Sequence, residues 1–87
     1  MAKRKRLVRL FFNTFYEDVY KAVIDALKRE YGDVRIVKSR VLPEFYYVEV
    51  SMAPSDDLGE AAKRIEELVR SVGGDRVFGV KAYPVET

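Results

Sequence analysis

The chain predicts an α/β fold of the α+β sandwich type: a four-stranded antiparallel sheet with two helices on one face. Three observations carry that prediction. Hydrophobic periods follow the order strand, helix, strand, strand, helix, strand and fill nearly all of the 87 residues. The composition, 48% hydrophobic and 34% charged, is that of a globular chain rather than a disordered one. The length suits a single core and is too short for two.

The first strand is Leu7 to Phe12, with Val8, Leu10 and Phe12 on one face and Arg9 and Phe11 on the other. Thr14-Phe15-Tyr16-Glu17 then reads as a capping box, in which threonine and glutamate each satisfy a free backbone N–H. Val19, Val23, Leu27 and Tyr31 recur at helical spacing beside Ala22 and Ala26, and Gly32 stops that helix. Val34 to Val41 is a basic, β-branched strand. Leu42-Pro43-Glu44 turns the chain, and Phe45 to Val50 returns as the strongest strand, completing an antiparallel hairpin.

Pro54 to Asp57 ends that strand and caps the second helix. Leu58, Ala61, Ala62, Ile65, Leu68, Val69 and Val72 form its apolar stripe, with Glu60–Arg64, Lys63–Glu67 and Glu66–Arg70 paired on the wet side. Gly73-Gly74 closes the helix. Val77 to Tyr83 makes the last strand, with Phe78, Val80 and Ala82 toward the helices. Right-handed crossovers then give strand order 4-1-3-2, so the βαββαβ pattern resembles the ferredoxin-like arrangement. Residues 1–6 read as a basic N-terminal arm and 7–84 as one domain.

Composition narrows the chemistry. The chain lacks cysteine, histidine, tryptophan and glutamine, and Asn13 is its one asparagine. Disulfides and thiolate chemistry are excluded, which fits a reducing cytoplasm. Few thermolabile residues beside much Lys, Arg and Glu suggest a thermophile, with archaeal-like composition; a redesigned sequence would look similar. No apolar run is long enough to span a membrane. Arg9 interrupts the segment after the basic start, so neither a membrane partner nor a secretory signal is expected. The net charge of +2 is uneven: residues 1–40 carry 11 Lys and Arg against 5 Asp and Glu, residues 41–87 carry 5 against 9. A basic first half suits a polyanion.

Strand parity assigns Arg9, Phe11 and Asn13, Phe45, Tyr47 and Glu49, and Lys81 and Tyr83 to the sheet face opposite the helices. Such an exposed aromatic cluster calls for a partner. Bases stack on aromatic rings while cations hold phosphates. On these residues the chain resembles the RNA recognition motif family. Phe45 and Tyr47 fall on that family's two stacking positions of the third strand, Val48 on the buried aliphatic one, and Phe11 on the first-strand position. Pro43 stands where the family has a basic residue, Glu44 and Tyr46 where it has small ones, Val50 where it has an aromatic, and Asn13 comes one residue early. The resemblance implies RNA or single-stranded nucleic acid as partner. Phe11, Phe45, Tyr47 and Tyr83 would form the face, Arg9 and Lys81 would lie against phosphate, and Lys3, Arg4, Lys5, Arg6, Arg35, Lys38 and Arg40 would supply further cations.

Two other readings stay open. The same face fits burial in a homodimer, in a larger complex or in a small-ligand-sensing assembly. Lys3 to Arg6 suits a solubilising tail, and Arg35, Lys38 and Arg40 suit protection of a sheet edge. Catalysis has less to stand on, and neither an enzyme nor a cofactor is expected. The acylphosphatase family shares size and strand order, but its Gly-rich, Arg-containing loop is replaced by Asn13-Thr14-Phe15-Tyr16. Tyr31-Gly32-Asp33-Val34-Arg35 with Ser39 resembles the CRISPR-adaptation nuclease family, yet Asn13 stands where that family keeps a metal-binding aspartate. Asp56-Asp57 reads as helix capping rather than a catalytic carboxylate pair.

Overall fold

A computed structural model describes residues 6–86. It contains β1 (Arg6–Asn13), α1 (Glu17–Tyr31), β2 (Val34–Lys38), β3 (Phe45–Ser51), α2 (Leu58–Gly73), a short 3-10 turn (Gly74–Arg76) and β4 (Phe78–Glu86). The four strands form one sheet in the order β2-β3-β1-β4, which is the expected order read from the other edge. All three pairings are antiparallel.

Both helices pack on one face. Val8, Leu10 and Phe12 of β1 and Tyr46, Val48 and Val50 of β3 alternate inward. They meet Val19, Val23, Ile24 and Leu27 of α1 and Ala61, Ala62, Ile65 and Val69 of α2 in a single core. Ile24 takes the inward place expected for Ala22, which is exposed. Each large aliphatic side chain removed from water here stabilises the fold by about 1.5–3 kcal/mol. An aromatic column runs through the layer: Phe12 stacks on Tyr46 at 5.4 Å and Tyr46 on Tyr20 at 4.3 Å. Lys38 Nζ lies 4.9 Å from the Tyr20 ring centroid and closes the column.

The helix ends follow their residues, with one exception. Gly32 (φ +80°) terminates α1 by donating its N–H to the Lys28 carbonyl at 2.9 Å. Asp57 caps α2, its Oδ1 accepting from Glu60 N at 3.1 Å, while Asp56 Oδ2 accepts from Ala53 N. The capping box at Thr14–Glu17 does not form: the N-cap of α1 is Tyr16, without a side-chain cap. Thr14 is buried instead, and its hydroxyl accepts from Tyr16 N at 3.2 Å while donating to the Arg76 carbonyl at 2.9 Å. Its own N–H donates to the Glu44 carbonyl, so one residue clasps three loops.

Three further expectations are corrected. β2 ends at Lys38, and residues 39–44 form a longer loop in which Ser39 Oγ accepts from Val41 N and Leu42 N. A hydroxyl that satisfies two backbone N–H groups replaces the last rungs of the ladder. Arg6 belongs to β1 rather than to an arm, with its guanidinium 2.8 Å from Glu86 and 2.6 Å from the Asp56 carbonyl. Lys3, Arg4 and Lys5 lie outside the described residues.

Phe78, expected toward the helices, faces outward and is 48% exposed, leaving Val77 buried instead. The β1–β4 register shifts between Phe11 and Asn13, where Gly79 adopts φ +60°. A bulge with glycine in a left-handed conformation reverses the parity of everything before it. Downstream, β4 runs on to Glu86 and carries Pro84, whose missing N–H falls on the outer edge of the sheet. α2 also covers that edge: Glu66 Oε2 accepts from Ala82 N at 2.9 Å and Arg70 Nη2 donates to the Val80 carbonyl at 3.5 Å. Glu66 and Arg70 form one of the expected helix pairs, at 3.3 Å.

Candidate nucleic-acid interface

The sheet face away from the helices is organised in rows set by strand register. At one end Phe45, Asn13 and Phe78 lie side by side. The next row is Val37, Tyr47, Phe11 and Lys81, followed by Arg35, Glu49, Arg9 and Tyr83. Ser51, Leu7 and Val85 complete the other end.

Phe11 is the hub. Its ring lies 5.0 Å from Tyr47, 5.9 Å from Phe45 and 6.0 Å edge-on from Tyr83, all within the range of favourable aromatic pairing. Phe11, Phe45 and Tyr47 are half-buried by this mutual packing, whereas Tyr83 is exposed on β4. Phe78 extends the surface by stacking on Phe15 at 5.6 Å. Phe15 is 74% exposed and, with Tyr16, Val41, Leu42 and Phe78, makes this end of the molecule markedly apolar.

Arg9 and Lys81 stand on the face as expected, both exposed. Arg35 joins them from β2, its Nη1 3.6 Å from Glu49 Oε1. Tyr47 donates its hydroxyl to Glu49 Oε2 at 2.7 Å. Burial and that bond to a carboxylate, in that order, raise the Tyr47 pKa above its ordinary value. The face therefore carries three cations against one carboxylate among the described strand residues.

Other candidates are not gathered here. Lys38 pairs with Tyr46 and sits over Tyr20 on the helix side of the sheet, because its parity is opposite to that of Arg35. Arg6 shares the inward parity of Val8 and is already paired with Glu86. Arg40 is exposed in the 39–44 loop, off the strands.

Phe15 and Phe78 belong to the face, whereas the sequence pattern puts Phe15 in a helix cap and Phe78 in the core. The available signal was Gly79, since glycine inside a strand marks a bulge. Asn13 is part of the same device: its Nδ2 donates to the Phe78 carbonyl at 3.2 Å across the bulge.

Among the described residues, no helix is long and apolar enough to cross a membrane, and no three Asp or Glu side chains cluster as a metal site would require. In comparisons with known proteins, no family model, no curated protein and no solved structure matches the chain.

Proposed function

We propose that the chain is a non-enzymatic RNA- or single-stranded nucleic-acid-binding module on a ferredoxin-like domain, acting through its open sheet face. The observation that carries this reading is the pairing of a contiguous aromatic platform with an excess of cations. Phe11, Phe45, Tyr47 and Tyr83 offer ring faces and edges in mutual contact. Phe15 and Phe78 prolong them. Stacking on such rings contributes about 1–3 kcal/mol per base and tolerates any sequence. Arg9, Lys81 and Arg35 flank the rings where a phosphate backbone would pass, and the Lys3-Arg4-Lys5 segment adds cations from the N-terminal side.

The charges weigh against the same face closing on a second copy of itself. Counted on the described strands, two open faces brought together would set six cations against two carboxylates, with Asp33 of each copy beside Arg35 and Glu49 at the rim, and like charges across an interface cost several kcal/mol. Both β4 edge groups bonded by α2, together with Pro84, also limit edge-to-edge pairing on that side.

The test is solution mass by light scattering, with and without a mixed-sequence single-stranded RNA, for the wild type and the Phe45→Ala/Tyr47→Ala variant. The expected result is a monomer that gains mass with RNA, and a variant that keeps its fold and loses at least tenfold in affinity. The core residues Phe12, Tyr46 and Val48 are untouched by those substitutions. A tight oligomer indifferent to RNA, or a variant that unfolds, would overturn the proposal and favour a self-associating face.

A further inference from the structure

Glu49 is the sole carboxylate that the described strands present on the open face, and it is held in the middle of it. Its neighbours across the strands are Arg9 on β1 and Arg35 on β2. Tyr47 Oη donates to one carboxylate oxygen at 2.7 Å, and Arg35 Nη1 lies 3.6 Å from the other. The side chain is only 23% exposed, against 75% for Arg35. Glu49 lies outside the core and caps neither helix, and its partners are side chains of the face itself. A face that gripped polyanions without selection would do better without it, since it repels phosphate and offsets a neighbouring arginine.

Resting on the nucleic-acid reading above, we infer that Glu49 is a specificity residue that takes the donor edge of a stacked base, guanine above all. An ionised carboxylate only accepts hydrogen bonds. Phosphate oxygens, ring N7 and the carbonyl groups of bases are acceptors too, so none of them satisfies it. Guanine alone sets a ring N–H and an amino N–H side by side, matching the two carboxylate oxygens. Cytosine and adenine offer one amino group. Uracil offers one N–H flanked by two carbonyls, which the carboxylate repels.

The placement suits that role. Glu49 follows Tyr47 by two residues on β3, about 7 Å along the strand. A base stacked over Phe11 and Tyr47 thus has its edge directed at the carboxylate when it lies along the strand. Tyr47 and Arg35 fix the acceptor beforehand, so less side-chain freedom is lost on binding. A correct bidentate contact against a wrong base corresponds to roughly 5- to 150-fold in affinity.

The experiment uses fluorescence anisotropy with labelled heptanucleotides of uridine carrying G, A, C or U at the centre, for the wild type and Glu49→Gln. Gln keeps the shape of the side chain and an acceptor for Tyr47 while removing the charge, and thermal melting of both proteins checks the fold. The wild type is expected to prefer the G oligonucleotide at least fivefold over U, in the ribose and in the deoxyribose series alike. Glu49→Gln is expected to reduce that preference to twofold or less, while its affinity for the all-U oligonucleotide rises because Arg35 is released and the carboxylate no longer repels phosphate. Tighter binding of the ribose series with no preference among the four bases, lost in Glu49→Gln, would assign the carboxylate to the 2′-hydroxyl and overturn the inference. Equal affinity for all four oligonucleotides, or an unchanged preference in Glu49→Gln, would overturn it while leaving nucleic-acid binding intact. Failure to bind any of them would remove the parent reading and this one together.

Discussion

Replacing Gly79 by Ala strikes the bulge that turns Phe78 onto the open face. Gly79 holds φ +60°, where a Cβ costs about 1–2 kcal/mol. The added carbon would also come within 2.7 Å of Asn13 Nδ2. Asn13 must then swing away and give up its bond to the Phe78 carbonyl, about another 1 kcal/mol. The expected loss is about 2–3 kcal/mol, a fall in melting temperature of roughly 10–20 °C for a domain of this size. Urea denaturation followed by far-ultraviolet circular dichroism measures it. Asn13→Ala alone should cost about 1 kcal/mol. With the amide gone, the added carbon meets nothing, so the double variant should cost little more than Gly79→Ala by itself, a coupling of about 1 kcal/mol. Stability within about 0.5 kcal/mol of wild type for Gly79→Ala would refute the reasoning, as would strict additivity. Either result would mean that the strand bends here for another reason.

Thr14→Val keeps the volume of a buried side chain but leaves Tyr16 N and the Arg76 carbonyl without their partner, so it should destabilise by about 1–3 kcal/mol in the same assay. Asp57→Ala should cost about 1 kcal/mol through the lost bond to Glu60 N, and Asp57→Asn much less. Tyr47 and Tyr31 both have pKa values raised above the ordinary 10.0, Tyr47 by burial and then by Glu49, Tyr31 by burial and then by Glu30. Above pH 10 the unfolded chain releases protons that the native state retains, so stability holds below that pH and falls as pH rises through the folded values. Tyr47→Phe should flatten this fall in denaturation midpoints taken on either side of pH 10, and an unchanged slope would count against a coupled Tyr47.

Local sequence carried the elements and their order because the periods of two and 3.6 residues are unbroken in Val8–Phe12, Tyr46–Val50 and the stripe of α2. It also carried the centre of the open face, since the parity of Phe11, Phe45 and Tyr47 depends only on regular strands. What it missed lies where a nonlocal partner decides. Thr14 has the spacing of a capping box, but its N–H and hydroxyl donate to the Glu44 and Arg76 carbonyls, 30 and 62 residues away, and its oxygen accepts from Tyr16 N rather than from within the helix. Phe78 reads as inward until Gly79 bends the strand around Asn13. Lys38 counts as one more edge cation in the sequence, whereas its placement over Tyr20 follows from the tertiary stack of Phe12, Tyr46 and Tyr20.

The charge on the open face makes salt a sharper probe than affinity alone. Arg9, Arg35 and Lys81 leave the face net positive after Glu49 is counted, so binding a polyanion releases counterions and weakens as salt rises. Three such phosphate contacts give a slope of log affinity on log salt near −2 for a single strand, and the N-terminal cations would steepen it. Face-to-face self-association has the opposite sign: the repulsion between two positive faces is screened as the Debye length falls from about 30 Å at 0.01 M to about 10 Å at 0.1 M. The apolar contact among Phe11, Phe45, Tyr47 and Tyr83 would then be free to act. Lys81→Ala should make the nucleic-acid slope shallower by about 0.7 and leave the aromatic contribution in place. Sedimentation that shows more dimer at high salt, with no salt-sensitive binding of RNA, would assign the aromatic face to a second copy of the chain.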